Sequence, residues 1–429
     1  MDASANVRRA IEAVWRIEAP RLIAGLARMV RDVGAAEELA QDAMVTALEQ
    51  WPATGIPVKP GAWLMAAGKN RAIDLVRRRK LLERKHRELG REAERAQDEA
   101  AGEIERAAED DVGDDLLRLI FTCCHPVLPP EARVALTLRM LGGLTTDEIA
   151  RAFLAPEPTI AQRIVRAKRA LAEKQVPFEV PHGEDRAARL DSVLAVVYLI
   201  FNEGYAATAG DAWIRPQLCD EALRLGRVLA AAAPDEPEVH GLLALMELQA
   251  SRMRARVGPA GDPVLLPDQN RSLWDQLLIS RGLTALARAE QLKGAAGRYA
   301  LQAAIAACHA RARTAEQTDW RQIATLYGDL ARVMPSPVVE LNRAVAVSMA
   351  DGPAAGLALV DAIAGEPALR AYHLLPSVRG NLLLKLGRAA EARAELERAA
   401  SLTRNAQERR LLLDRAAACD DRDRPGGRA

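Results

Sequence analysis

Five side chains on one predicted helix carry the clearest chemistry in this 429-residue sequence. Thr159, Gln162, Arg163, Arg166 and Arg169 recur at three- and four-residue spacing, so a helix arrays them along one outward face. Arginine can span the O6 and N7 acceptors of guanine in a major groove, and threonine or glutamine can read a base edge or a phosphate oxygen. A solvated basic face on an ordinary two-helix corner would show the same stripe, so the frame around it decides. Thr145 and Glu148 have capping-box spacing, which starts a helix burying Ile149, Phe153 and Leu154. Ala155 to Glu157 make a short turn, and Pro158 suits the first position of a second helix. Ile160, Ile164, Ala167 and Leu171 then point back onto the first helix. Capping box, short turn and basic outer face together predict a DNA-contacting helix-turn-helix.

A second set of charged residues stands near the front. The stretch Ala36 to Trp51 places Leu39, Ala43, Ala47 and Trp51 on one seam and turns Glu38, Gln41, Asp42 and Glu49 away. The stretch Gly61 to Lys80 sets Asn70, Asp74, Arg77 and Arg78 along one face and ends in four consecutive cations. On pattern alone, an amphipathic bundle with a basic tail explains both equally well.

Other chemistries find less support. Cys123, Cys124 and His125 are adjacent, so they cannot close a tetrahedral metal shell without distant partners, and no C-x-x-C accompanies them. Their segment is expected to end a helix over Leu116 to Phe121. Glu203, Asp211, Asp268, Asp275, His240 and His309 could serve acid–base work, but nothing in their spacing brings them together, and turns and helix ends explain them better. No phosphate loop, G-x-G-x-x-G or nucleophile elbow is present. The expectation is no enzyme, no metal and no cofactor.

Composition points to the elements that must hold these residues. Aromatic residues make up 3% of the chain, while Ala, Leu, Arg and Glu are abundant, which predicts an all-α fold. The net charge of +1 hides opposed segments. Residues 1–80 hold 13 Lys/Arg against 9 Asp/Glu, residues 81–115 hold 6 against 13, and residues 116–174 hold 9 against 5. The middle segment has too few apolar side chains to fold alone and is expected to be a charged acidic linker. Five scattered cysteines fit a reducing compartment. With no apolar leader at the start, and a longest apolar run of nine residues from Val193 to Phe201, a cytoplasmic protein with no membrane association is expected.

Residues 181–420 read as helix pairs separated by Pro and Gly, with helices predicted over 218–232, 237–256, 299–313, 320–333 and 337–350. Asn381 to Ala400 has the small-residue and Leu-Gly-Arg spacing of a tetratricopeptide hairpin, and Asp351-Gly-Pro repeats its turn about 35 residues earlier. A helical solenoid, with a concave face for a protein or peptide ligand, is the expectation.

Taken together, these stretches resemble the bacterial group 4, or extracytoplasmic-function, RNA polymerase sigma factors. The resemblance rests on the acidic helix Glu37-Glu38-x-x-Gln41-Asp42, the Trp63-Leu64 helix ending in Asn70-Arg71-Ala72-x-Asp74-x-x-Arg77-Arg78, the acidic linker, and the helix-turn-helix. Phe121-Thr-Cys-Cys-His-Pro126, Phe201-Asn-Glu-Gly-Tyr205 and Leu266 to Asp275 resemble a subgroup carrying a tetratricopeptide-like C-terminal extension. The resemblance implies two small helical domains and a helical-repeat domain: residues 1–80 docking core RNA polymerase and opening the minus-ten element, the linker 81–115, residues 116–174 reading the minus-thirty-five element, and residues 181–420. It also implies that Glu37, Glu38, Gln41 and Asp42 dock the polymerase. Asn70, Arg71, Asp74, Arg77 and Arg78 would lie nearest the melted DNA, with a flipped base held at the Gly55 to Pro60 loop. Thr159, Gln162, Arg163, Arg166 and Arg169 would read duplex promoter DNA. Two rivals remain: a stand-alone helix-turn-helix regulator with an interaction solenoid, and an enzyme housed in the repeat.

Overall fold

The computed structural model of the protein describes residues 3–86, 112–153, 155–181, 183–207, 209–210, 213–259 and 261–423. Over these residues it is all-α. Eighteen α-helices are joined by turns and short 3-10 segments, with one two-residue parallel ladder pairing Ala209 with Arg404 and Gly210 with Asn405. The chain divides into two compact units, Met1–Val197 and Tyr198–Ala429. Most of the expected acidic linker, residues 87–111, lies outside the described residues.

In the first unit, α1 (Ala3–Val30), α2 (Val33–Thr54) and α3 (Pro60–His86) pack on one another. Asp32 caps α2 by accepting the Ala35 amide at 3.0 Å, and the helix stops at Gly55, whose φ of 83° few other residues adopt. The seam of Leu39, Ala43, Ala47 and Trp51 is buried as its spacing predicts. Trp51 meets Trp63 of α3 edge to face at 5.3 Å, so both tryptophans pack α2 against α3.

Four helices follow: α4 (Val112–Cys123), α5 (Pro130–Met140), α6 (Thr146–Phe153) and α7 (Glu157–Glu173). The capping box forms reciprocally, with the Thr145 amide donating to Glu148 at 2.8 Å and the Glu148 amide donating to Thr145 Oγ1 at 3.1 Å. The second helix begins at Glu157, one residue before expected, so Pro158 occupies its second position. That shift is tolerated because the first-turn amides have no intrahelical acceptor to lose. Ile149 is buried, Phe153 is only half-buried, and Leu154 lies outside the described residues. Ile160, Ile164, Ala167 and Leu171 form the buried face of α7. The long helix α8 (Gly183–Tyr205) comes next.

The second unit continues with α9 (Pro216–Ala232), α10 (Pro237–Ala250), α11 (Gln276–Gln291), α12 (Arg298–Arg311), α13 (Trp320–Val333), α14 (Pro337–Asp351) and α15 (Pro353–Ile363). It closes with α16 (Leu374–Lys385), α17 (Ala389–Leu402) and α18 (Ala406–Asp423). Consecutive helices of this unit pack on one another in chain order, and the short ladder ties Ala209 near its start to Arg404 near its end. The helix expected over 237–256 ends at Ala250, and a 3-10 turn at Met253–Ala255 follows. Gly352 and Gly387 turn the chain between α14 and α15 and between α16 and α17, at φ of 101° and 76°. Ala389, Ala392, Leu396 and Ala399 bury the inner stripe of α17. Gly380 on α16 lets it approach closely, since an added Cβ would lie 3.0 Å from Leu396 and 3.1 Å from the Ala392 carbonyl.

Candidate functional site

The outer face of α7 presents its cations as the spacing predicts. Gln162, Arg166 and Arg169 are exposed, while Thr159 and Arg163 are half-buried at its margins. Arg169 is held by Glu173 one turn on, its Nε donating at 2.6 Å, which raises its pKa further. On α6, Arg151 and Asp147 pair at 2.9 Å, a surface contact of small energetic weight. The helix thus has a dry seam on one side and donors suited to phosphates and guanine edges on the other.

On α3, Asn70, Asp74, Arg77 and Arg78 are exposed along one face. Arg71 differs from them. It is half-buried, and its Nη2 donates to Thr46 Oγ1 of α2 at 3.0 Å, so it braces the two helices. The loop after α2 exposes Val58 at 99%. It rims a cavity of about 560 Å³ together with Arg21, Met65 and Lys69. Glu18 and Asp115 share the lining with these cations, and Met65 and Val58 give it an apolar part.

The acidic side chains of α2 divide into two groups. Glu38 and Asp42 are exposed, whereas Glu37 is only 3% exposed. Arg139 of α5 donates its Nε to Glu37 Oε1 at 2.7 Å, Lys168 of α7 pairs with Oε2, and Gln41 Nε2 donates to Oε1 at 2.8 Å. A carboxylate this buried persists because two cations and an amide neutralise it; removing one partner of such a pair typically costs about 3–5 kcal/mol. A second charge pair, Arg28 of α1 with Asp115 of α4 at 3.2 Å, has its carboxylate at 4% exposure.

Phe121 to Pro126 ends α4 as expected and then does more. Arg133 of α5 donates to the carbonyls of Leu128 at 2.7 Å and Pro126 at 3.1 Å, and to Ser192 Oγ of α8 at 2.9 Å. Ser192 in turn donates to the Cys124 carbonyl at 2.6 Å, so the turn clasps α8. His125 Nδ1 accepts the Val127 amide at 3.1 Å. Burial pushes the Cys123 thiol well up and that of Cys124 to about 12, so both stay neutral in the packed turn.

The acid and histidine residues of the second unit take structural posts. Glu203 pairs with Arg215, Asp275 caps α11 by accepting the Leu277 and Leu278 amides at 2.9 and 3.0 Å, and His240 contacts the Pro234 carbonyl at 2.9 Å. Asp211 lies outside the described residues. His309 is buried edge-on against Trp320 at 5.2 Å; burial first, then Arg252 and Arg271, lowers its pKa to about 3. Arg271 staples its loop to the end of α12 through the carbonyls of His309 at 2.6 Å and Ala312 at 2.7 Å. A cavity of about 310 Å³ opens among Tyr198, Phe201, Asn202, Gln249, Tyr327 and Asn342, with no charged side chain in its lining.

Sequence reasoning did not identify Arg139, Lys168, Arg133 or Ser192, because each earns its place through a partner on another helix. Among the described residues no group of His, Cys, Asp and Glu could hold a metal ion, and no helix is long and apolar enough to cross a membrane.

Residues 15–81 match the sigma-70 region 2 family, residues 118–171 match sigma-70 region 4, and residues 189–290 match a family of unknown function, DUF6596. An uncharacterized protein of Rhizobium meliloti (strain 1021) is 46% identical over 403 residues, spanning 93% of this chain and 94% of its own length. No solved structure matches the chain.

Proposed function

The chain belongs to the sigma-70 family, as an extracytoplasmic-function-type sigma factor with a C-terminal extension, and from that premise we propose a division of labour among its parts. Sigma-70 regions bind core RNA polymerase and promoter DNA, and this chain carries two of them. In our reading residues 1–80 dock the polymerase through Glu37, Glu38, Gln41 and Asp42. Asn70, Arg71, Asp74, Arg77 and Arg78 line the melted minus-ten strand, with the cavity at the Val58 loop receiving a base. Residues 81–115 tether this module to residues 116–174, whose Thr159, Gln162, Arg163, Arg166 and Arg169 read the minus-thirty-five duplex. The factor works in the cytoplasm, without a cofactor and without catalysis of its own.

The observation that carries the reading is α7 itself: a helix with an apolar inner seam, preceded by α6 and its formed capping box, and an outer face of exposed Gln162, Arg166 and Arg169. Footprinting of promoter DNA with and without core polymerase tests it. Protection of both elements only when core is present is expected. Tight protection of a duplex operator by the chain alone would instead identify a stand-alone regulator.

Residues 181–420 act, in the same proposal, as a tetratricopeptide-like regulator that takes a protein or peptide ligand. Successive helix pairs and the uncharged cavity near Tyr327 support it. Removing residues after 181 and measuring promoter-specific transcription should change output under at least one condition; unchanged output throughout would defeat the regulatory role.

A further inference from the structure

Glu37 stands in two places at once. It belongs to the acidic helix that we read as the polymerase-docking surface, yet its carboxylate is 3% exposed and faces the helix-turn-helix module. Arg139 on α5 holds Oε1 at 2.7 Å, and Lys168 on α7 holds Oε2. Both cations come from the region 4 match, and the carboxylate comes from region 2. The stem of Lys168 lies against Gly34 of α2 on its way to the carboxylate. Its neighbours Arg166 and Arg169 still face outward, so the contact spares the reading face of α7 while covering part of the docking face of α2.

The seam around this contact is charged and loosely filled. A cavity of about 780 Å³ runs beside it, lined by Arg28, Arg31, Asp32, Lys168, Gln175 and Phe178 among others. Arg28 with Asp115 is a further charged tie, at 3.2 Å. α1 also packs along α4, so these charged ties act beside a helix–helix contact; ion pairs part more readily than apolar packing because water can take over the separated charges.

We propose that Glu37 is a latch: in the free chain it closes region 2 onto region 4 through Arg139 and Lys168, and its release frees the α2 face for core polymerase. The first half stands on the contact geometry, and the second rests on the reading of α2 as the docking surface. Because the same carboxylate cannot be sequestered and docked together, closure lowers the apparent affinity for polymerase by the fraction of chains that are open.

The test uses the full chain with nitroxide labels at Val45→Cys on α2 and Val165→Cys on α7. Both positions are exposed, at 52% and 62%, and all five native cysteines are buried. Electron–electron distance measurement should give one short, narrow distribution. Arg139→Met with Lys168→Met, neither residue assigned to DNA or polymerase, should lengthen and broaden it while far-ultraviolet dichroism stays unchanged. On unlabelled protein, the same double variant should bind core polymerase about tenfold more tightly. Arg139→Glu with Lys168→Glu should open the chain, and adding Glu37→Arg should close it again, which a merely unfolded variant would not do.

An unchanged distance in the double variant, or no reclosure on charge reversal, overturns the latch. A lengthened distance with unaltered core affinity overturns its gating of polymerase. If no chain, native or variant, binds core polymerase, the docking reading of α2 falls and the gating with it, while the label distances still decide whether Glu37 closes the chain.

Discussion

Arg166 and Arg169 share a helix face, but differ in what a DNA contact would cost them. Arg169 must first leave Glu173, whereas Arg166 is exposed and makes no ion pair among the described residues. Arg166→Ala should therefore reduce discrimination at the upstream element by about 1–3 kcal/mol, and Arg169→Ala by less. Transcription in vitro from templates with intact and scrambled upstream elements measures both, and equal losses would refute the ranking. At His309 the issue is stability. Its folded pKa of about 3 lies below the unfolded value near 6.5, so the unfolded chain binds the proton more readily. The stability tied to the neutral ring is complete above pH 6.5 and is lost as pH falls toward 3, with a slope approaching about 1.4 kcal/mol per pH unit. His309→Phe should flatten the acid limb of the urea midpoint against pH; an unaltered limb would place the acid sensitivity elsewhere.

Helices and turns follow local rules where the rule needs only neighbours in sequence. The Gly352 turn is one such case: φ is 101° and an added Cβ would meet nothing within 4 Å, so backbone strain alone penalises a side chain. Gly352→Ala should cost about 1–3 kcal/mol in urea unfolding, with α14 and α15 otherwise intact. A loss near zero would show that the turn tolerates a different backbone. The same locality made the capping box, the buried stripe of α7 and the seam of α2 legible in the sequence, since periodicity and caps act within a few residues. Legibility ended where partners come from afar. Glu37 differs from Glu38 only by one step around a helix, and that step carries it from solvent to Arg139, 102 positions away. Arg71 likewise sits by spacing among residues expected to face DNA, but it braces Thr46 across to α2. The Cys-Cys-His segment offered a metal pattern, and what it does is mechanical: its carbonyls receive Arg133 and Ser192.

At the scale of the whole molecule, reading depth varies with the same distinction. Composition and period identified an all-α chain, and the turns at Gly352 and Gly387, 35 residues apart, were visible in the sequence. The stacking that makes them a unit, and the cavity beside Tyr327, depend on helices far apart in the chain. One consequence concerns the sulfur atoms. All five thiols are buried, and desolvation raises the pKa of Cys123, Cys124, Cys219 and Cys308. Thiolate is the form that oxidants attack, so the folded chain should take up no iodoacetamide at neutral pH and five equivalents once denatured. Early alkylation of the native protein would contradict this. Peroxide should accordingly pass this transcription factor by, and any stress it reports must reach it in another chemical language.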